Sequence, residues 1–100
     1  MNNIIKVSDI TAQDVADFIR IGEPDSDDIN TLNTLITVAK VYAAEYTGRT
    51  IAELDDYKDF IIVILILCQD MWDNRTLYVD SSNANKVVES ILNLHVVNLL

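Results

Sequence analysis

The chain has one hundred residues, with sixteen acidic against seven basic side chains and a formal charge of −9, so its field repels phosphates and argues against a protein that grips nucleic acid. Half of the residues are apolar, while Gly (2) and Pro (1) are scarce, which disfavours disorder and a turn-rich β protein. The lone Cys68 rules out an intrachain disulfide and suits a reduced, intracellular setting. Together these features predict one domain over residues 1–100, all-α, a small bundle of about four helices with short connections.

Along the chain, Met1 to Asp9 lacks both a basic start and a long apolar stretch, so no signal peptide is expected. Thr11, with Asp14 three residues later, forms a capping signal for a first helix carrying Val15, Phe18 and Ile19, expected to stop at Gly22. The acidic turn from Gly22 to Asp28 feeds a second helix, capped by Asp25 or Ser26. Ile29, Leu32, Ile36, Ala39, Ala43 and Tyr46 then recur at spacings of 3 and 4, the seam of a helix packed lengthwise. Leu35, Val38 and Tyr42 widen that seam, which implies more than one neighbour. Thr47-Gly48 ends the helix, Gly supplying a left-handed cap.

Asp55 or Asp56 is the expected cap of a third helix through Phe60, Ile64, Cys68, Met71 and Trp72 to about Asn74. Its run from Phe60 to Cys68 is apolar all round but far short of the roughly 20 residues of a membrane span, and Asp59 and Gln69 bracket it. A buried strand is the competing reading, disfavoured by the length of the segment. Leu77-Tyr78-Val79 and the polar residues after it predict an extended loop, with Ser82 capping a last helix that carries Val87, Val88, Ile91 and Leu92. The C-terminal tail, 93–100, is unusually apolar.

No catalytic, cofactor or metal-binding constellation emerges. A hydrolytic triad would need a His set by a carboxylate beside a nucleophile, yet the sole His95 lies near the chain end in the apolar tail, and one Cys with one His cannot furnish a zinc site without several carboxylates. Asp25 to Asn30 has a superficial calcium-loop look, but Ile29 and Asn30 occupy positions that need an oxygen ligand and Gly, so helix capping explains the cluster. None of the carboxylates falls inside an apolar stretch that would raise its pKa. Gly22 and Gly48 stand alone, which leaves no phosphate-cradling loop. The expectation is a protein that is not an enzyme.

The order of pieces is informative: a capped helix with Val15-x-x-Phe18-Ile-Arg-Ile21, an acidic turn, a long helix ending Tyr46-Thr-Gly-Arg49, and an apolar helix ending Trp72-x-Asn74-Arg75. This pattern resembles the head-tail connector, or adaptor, proteins of tailed phages and prophages, over residues 8–92. The resemblance implies an all-α virion structural protein without catalysis, forming a ring of about a dozen copies below the portal and extending the DNA channel toward the tail. The implied partners are copies of itself, the portal protein, a tail-completion or stopper protein, and double-stranded DNA that passes without sequence-specific binding. The implied location is the neck of the virion, and the host cytoplasm during assembly. The tail departs from the family's small, basic or aromatic closing segments, being apolar and uncharged apart from His95.

A ring subunit must expose apolar surface to its neighbours, and Val96, Val97, Leu99 and Leu100 are expected to pack in cis or in trans. An acidic channel wall would let the duplex slide, although the same charge also serves plain solubility. Arg49 and Arg75 follow helix ends, where a cation either stabilises the fold or bridges subunits. Trp72 and Tyr78 are either core residues or interface anchors. The loop Leu77 to Ser82, through Leu77, Tyr78 and Val79, is the foremost candidate for holding a neighbour or the portal. The alternative class is an acidic helical interaction module that regulates or inhibits a host or phage protein.

Overall fold

The computed structural model of the chain describes residues 4–97, and within them the fold is all-α. Four α-helices follow one another: α1 (Ala12–Ile19), α2 (Ser26–Thr47), α3 (Asp59–Asn74) and α4 (Lys86–Leu94). Short 3-10 turns at Val7–Asp9, Ala52–Asp56 and Ser81–Asn83 fill the connections. Calls on Leu99 and Leu100 fall outside the described residues.

Local chemistry sets the helix starts. Thr11 and Asp14 form a reciprocal capping box, each side chain accepting from the other's backbone N–H, and Asp25 with Asp28 repeats the arrangement at α2. Two later starts differ from expectation. A 3-10 turn occupies Ala52–Asp56, so α3 begins at Asp59 with no side-chain cap, and the Asp55 carboxylate instead accepts from the Ser8 N–H at 2.8 Å. That bond holds the Asp55 carboxyl below its ordinary pKa and ties the N-terminal segment to the α2–α3 connection. Asn85, not Ser82, caps α4, accepting from the N–H groups of Val87 and Val88, while Ser82 sits in the preceding turn bonded to Asp80.

The first three helices end alike. Arg20, Gly48 and Arg75 adopt left-handed backbone with φ of 64°, 73° and 56°. The following N–H groups reach back to close the ends, Ile21 to Ala16 O, Arg49 to Ala44 O and Thr76 to Met71 O. Gly22 is therefore not the stop of α1; Arg20 takes the left-handed position two residues earlier. An arginine there gives up roughly 1 kcal/mol relative to glycine, because its Cβ crowds the carbonyl.

Around α3 the core assembles. Phe60, Val63, Ile64, Leu67, Cys68 and Met71 are buried, and α1, α2 and α4 all pack on this helix. That is why its middle is apolar all round. On α2, Leu32, Leu35, Ile36, Ala39 and Ala43 are buried, and their wide stripe meets α1, α3 and α4. The two alanines let neighbouring helices approach closely. Helix α4 contributes Val88 and Leu92. Burial pushes the Cys68 thiol up to about 12, so it is a small core hydrophobe without thiolate character at neutral pH.

Candidate interaction surfaces at the two ends of the bundle

Leu77 and Tyr78 are 61% and 63% exposed in the connection between α3 and α4, large apolar side chains held out from the body. Val79, two residues after Leu77, packs against the core, so only the first two of the three predicted loop residues offer free surface. The geometry follows from the α3 end: Arg75 reverses the chain, Thr76 N–H closes the helix, and the Thr76 hydroxyl bonds to Tyr78 O.

Clefts flank this loop on both sides. The larger, about 410 Å³, lies between the last turns of α3 (Leu67, Asp70, Asn74) and the connection (Tyr78, Asp80, Asn83). The smaller, about 280 Å³, runs between Asp28 and Thr31 of α2 and Trp72, Arg75 and Leu77. Trp72 is half-buried, packed against the core while lining this cleft. Arg75 is exposed and forms no ion pair among the described residues.

Burial raises the pKa of Asp70 in the larger cleft, with the Asp73 charge adding to it. This corrects the expectation that no carboxylate is so placed: Asp70 follows the apolar run of α3 and is drawn partly under the connection. Among the described residues no group of three or more metal-ligating side chains gathers there or elsewhere.

The opposite end of the bundle carries the C-terminal segment. From the last turn of α4 onward the chain crosses the corner where α2 ends and α3 begins, fixed there by four hydrogen bonds. Tyr46 OH donates to Asn93 Oδ1 at 2.6 Å, Arg49 Nε–H to His95 O at 2.8 Å, and Val97 N–H to Thr47 O at 2.8 Å, while His95 Nε2 lies 2.8 Å from Asp59 Oδ2. The imidazole stacks against Tyr57 and Phe60, with centroids 4.4 and 4.8 Å away, and the Arg49 guanidinium lies 4.9 Å from the Tyr57 ring centroid. Arg49 also reaches Glu53 at 3.5 Å.

The inward groups of this segment are thus polar or aromatic, whereas Leu94 and Val96 face solvent at 78% and 44% exposure. Val97 is half-buried, its Cβ near Gly48. Of the predicted interface residues, Leu77, Tyr78 and Arg75 gather at one end, and Val96, Val97 and Arg49 at the other. Arg49 is engaged within its own chain. The clasp formed by Tyr46, Tyr57, Asp59 and Asn93 was not singled out in the sequence; its one signal was a lone histidine inside an apolar tail.

No helix of the described residues is long and apolar enough to cross a membrane. Compared with known proteins, the chain matches no family model, and neither a curated protein nor a solved structure shows a significant likeness to it.

Proposed function

We propose that this chain is a non-enzymatic structural subunit of a phage or prophage neck, assembling into a ring of about a dozen copies that joins the portal to a tail-completion or stopper protein. The observation that carries this reading is that, among the exposed large apolar side chains, two neighbouring pairs stand at opposite ends of the bundle. Leu77 and Tyr78 lie beside the start of α2 and the end of α3, Leu94 and Val96 beside the end of α2 and the start of α3. Thr31 and Thr47 bound that separation, roughly 24 Å along the helix axis. Two different patches at opposite ends are what a head-to-tail contact requires, and such contacts close into rings when the rotation allows.

The charge of −9 supports a channel wall along which the duplex slides without sticking. The order of the corner motifs Tyr46-Thr-Gly-Arg49 and Trp72-x-Asn74-Arg75 adds the resemblance to connectors.

Negative-stain imaging of the protein mixed with the cognate portal tests this. Ring-shaped density seated on the portal is expected, and Leu77→Asp combined with Tyr78→Asp should abolish it while leaving the helical circular dichroism of the monomer unchanged. A wild-type mixture without ring density would refute the proposal, and a single copy held by some other protein would establish the interaction-module alternative instead.

A further inference from the structure

We infer that the cleft between the last turns of α3 and the α3–α4 connection receives an arginine side chain, presented by a partner protein seated on the Leu77–Tyr78 loop. The inference rests on the proposed function only in taking that loop as the partner's seat; the chemistry of the cleft is argued from its own walls.

The cleft, about 410 Å³, falls within the roughly 300–1,000 Å³ typical of ligand clefts. Leu67 and Met71, both buried, supply its apolar surface. Its polar groups are Asp70 and Asn74 from α3 with Asp80 and Asn83 from the connection, and no lysine or arginine lines it. Asp70 is the informative group. Partial burial disfavours its charged form and Asp73 adds repulsion, yet neither a hydrogen bond nor a cation offsets these costs among the described residues. Asp80 is held in place by Ser82, whose N–H and hydroxyl both donate to Oδ1. A carboxylate kept partly desolvated without a partner lowers stability relative to an amide in its place, the arrangement expected where an incoming cation supplies the missing partner.

The class of cation follows from the rest of the cleft. No group of three or more metal-ligating side chains gathers among the described residues, which disfavours a metal ion. Carboxylates and amide oxygens are matched by the planar fork of N–H donors on a guanidinium. Tyr78, 63% exposed and lining the same cleft, offers a ring face on which that plane can stack. The point charge of a lysine uses neither feature as well. Tyr78 is also half of the exposed loop pair, so a protein covering Leu77 and Tyr78 brings its own side chains to the mouth of the cleft. The charge of −9 favours a basic contact face on that protein.

NMR titration of the ¹⁵N-labelled full chain at pH 7 with N-acetyl-arginine methylamide tests this, because the probe carries an arginine side chain without free termini. Saturable shifts centred on the amides of Asp70, Asn74, Tyr78 and Asn83 are expected. The neutral citrulline analogue should bind about tenfold more weakly, and Asp70→Asn should weaken the arginine probe by about the same factor, the loss of one charge-assisted pair. Asp27→Asn removes an equal charge from the exposed first turn of α2 and should leave the affinity unchanged.

An equal response of the two variants, or shifts spread over every acidic surface, overturns the cleft in favour of general charge attraction. Tighter binding of spermidine than of the arginine probe overturns the partner side chain in favour of a free polyamine. The ring reading fails separately: specific probe binding by a chain that never seats on the portal keeps the cleft and removes the ring, whereas rings on the portal without probe binding remove the cleft alone.

Discussion

The body made by α1 to α3 and the arm made by α4 and its C-terminal segment are held by different physics. In the body, contiguous buried aliphatic side chains on α2 and α3 interlock, and reciprocal capping boxes fix the helix starts. In the arm, two buried residues, Val88 and Leu92, are supplemented by a clasp of hydrogen bonds and ring contacts around His95 and Arg49. Apolar burial is non-directional and tolerant, whereas a clasp of this kind depends on distance and angle. The lesson is that a terminal element with few fully buried side chains can be fastened by directional polar contacts in addition to its apolar face.

The largest effect should come from removing the ring that serves both regions. Phe60→Ala takes away a fully buried side chain in the first turn of α3 that also packs against His95, and a loss of about 4 kcal/mol is expected in urea unfolding. Leu92→Ala should cost somewhat less, about 3 kcal/mol, and should act regionally. Hydrogen exchange should then show α4 amides opening well before those of α3, and uniform opening of both would erase the distinction between body and arm.

Arg49→Ala isolates the clasp. It removes the donor to His95 O and the cation over Tyr57, with an expected loss of about 1.5 kcal/mol confined to the arm. Arg75→Gly sharpens the comparison from the other side: relieving the left-handed arginine should stabilise the monomer by about 1 kcal/mol in thermal melts. If Arg75 also serves the interface at the loop end, the same variant should assemble more weakly although it is more stable.

The smallest effect concerns Asp70. Burial and Asp73 raise its pKa in the folded state, so the folded protein binds this proton more tightly than the unfolded chain. The stability linked to that proton is fully present below the ordinary aspartate value and is lost as pH rises through the raised one. Asp70→Asn should therefore raise the Tm at pH 7, and the gain should vanish at pH 3; a gain of equal size at both would contradict the assignment.

Much of the body was legible in the sequence because its signals are local or periodic. Thr11 with Asp14 marks the start of α1, Asp25 was one of two candidate caps for α2, and the 3-and-4 spacing from Leu32 to Ala43 marks the buried face of α2. The errors lie where a tertiary contact outweighed a local preference. Asp55 reads as a helix cap but bonds to Ser8, distant in sequence, and α3 starts without it. Gly22 reads as a helix stop, yet Arg20 accepts the left-handed turn because Ile21 then closes the end on Ala16. The clasp was hidden for a related reason: Tyr46, Arg49 and Asp59 meet the segment from Asn93 to His95 only after the bundle has formed, and no spacing along the chain encodes that meeting. Loop residues Leu77 and Tyr78 were legible as candidates because apolar residues in a polar connection lack a core to enter, whereas the packing of Val79 was not.

Absolute mass in solution tests the proposed ring most directly. Multi-angle light scattering across a range of concentrations, with and without the cognate portal protein, should show a species of about a dozen subunits, formed either by the protein alone or once the portal is added. A strict monomer at every concentration that ignores the portal would contradict the account.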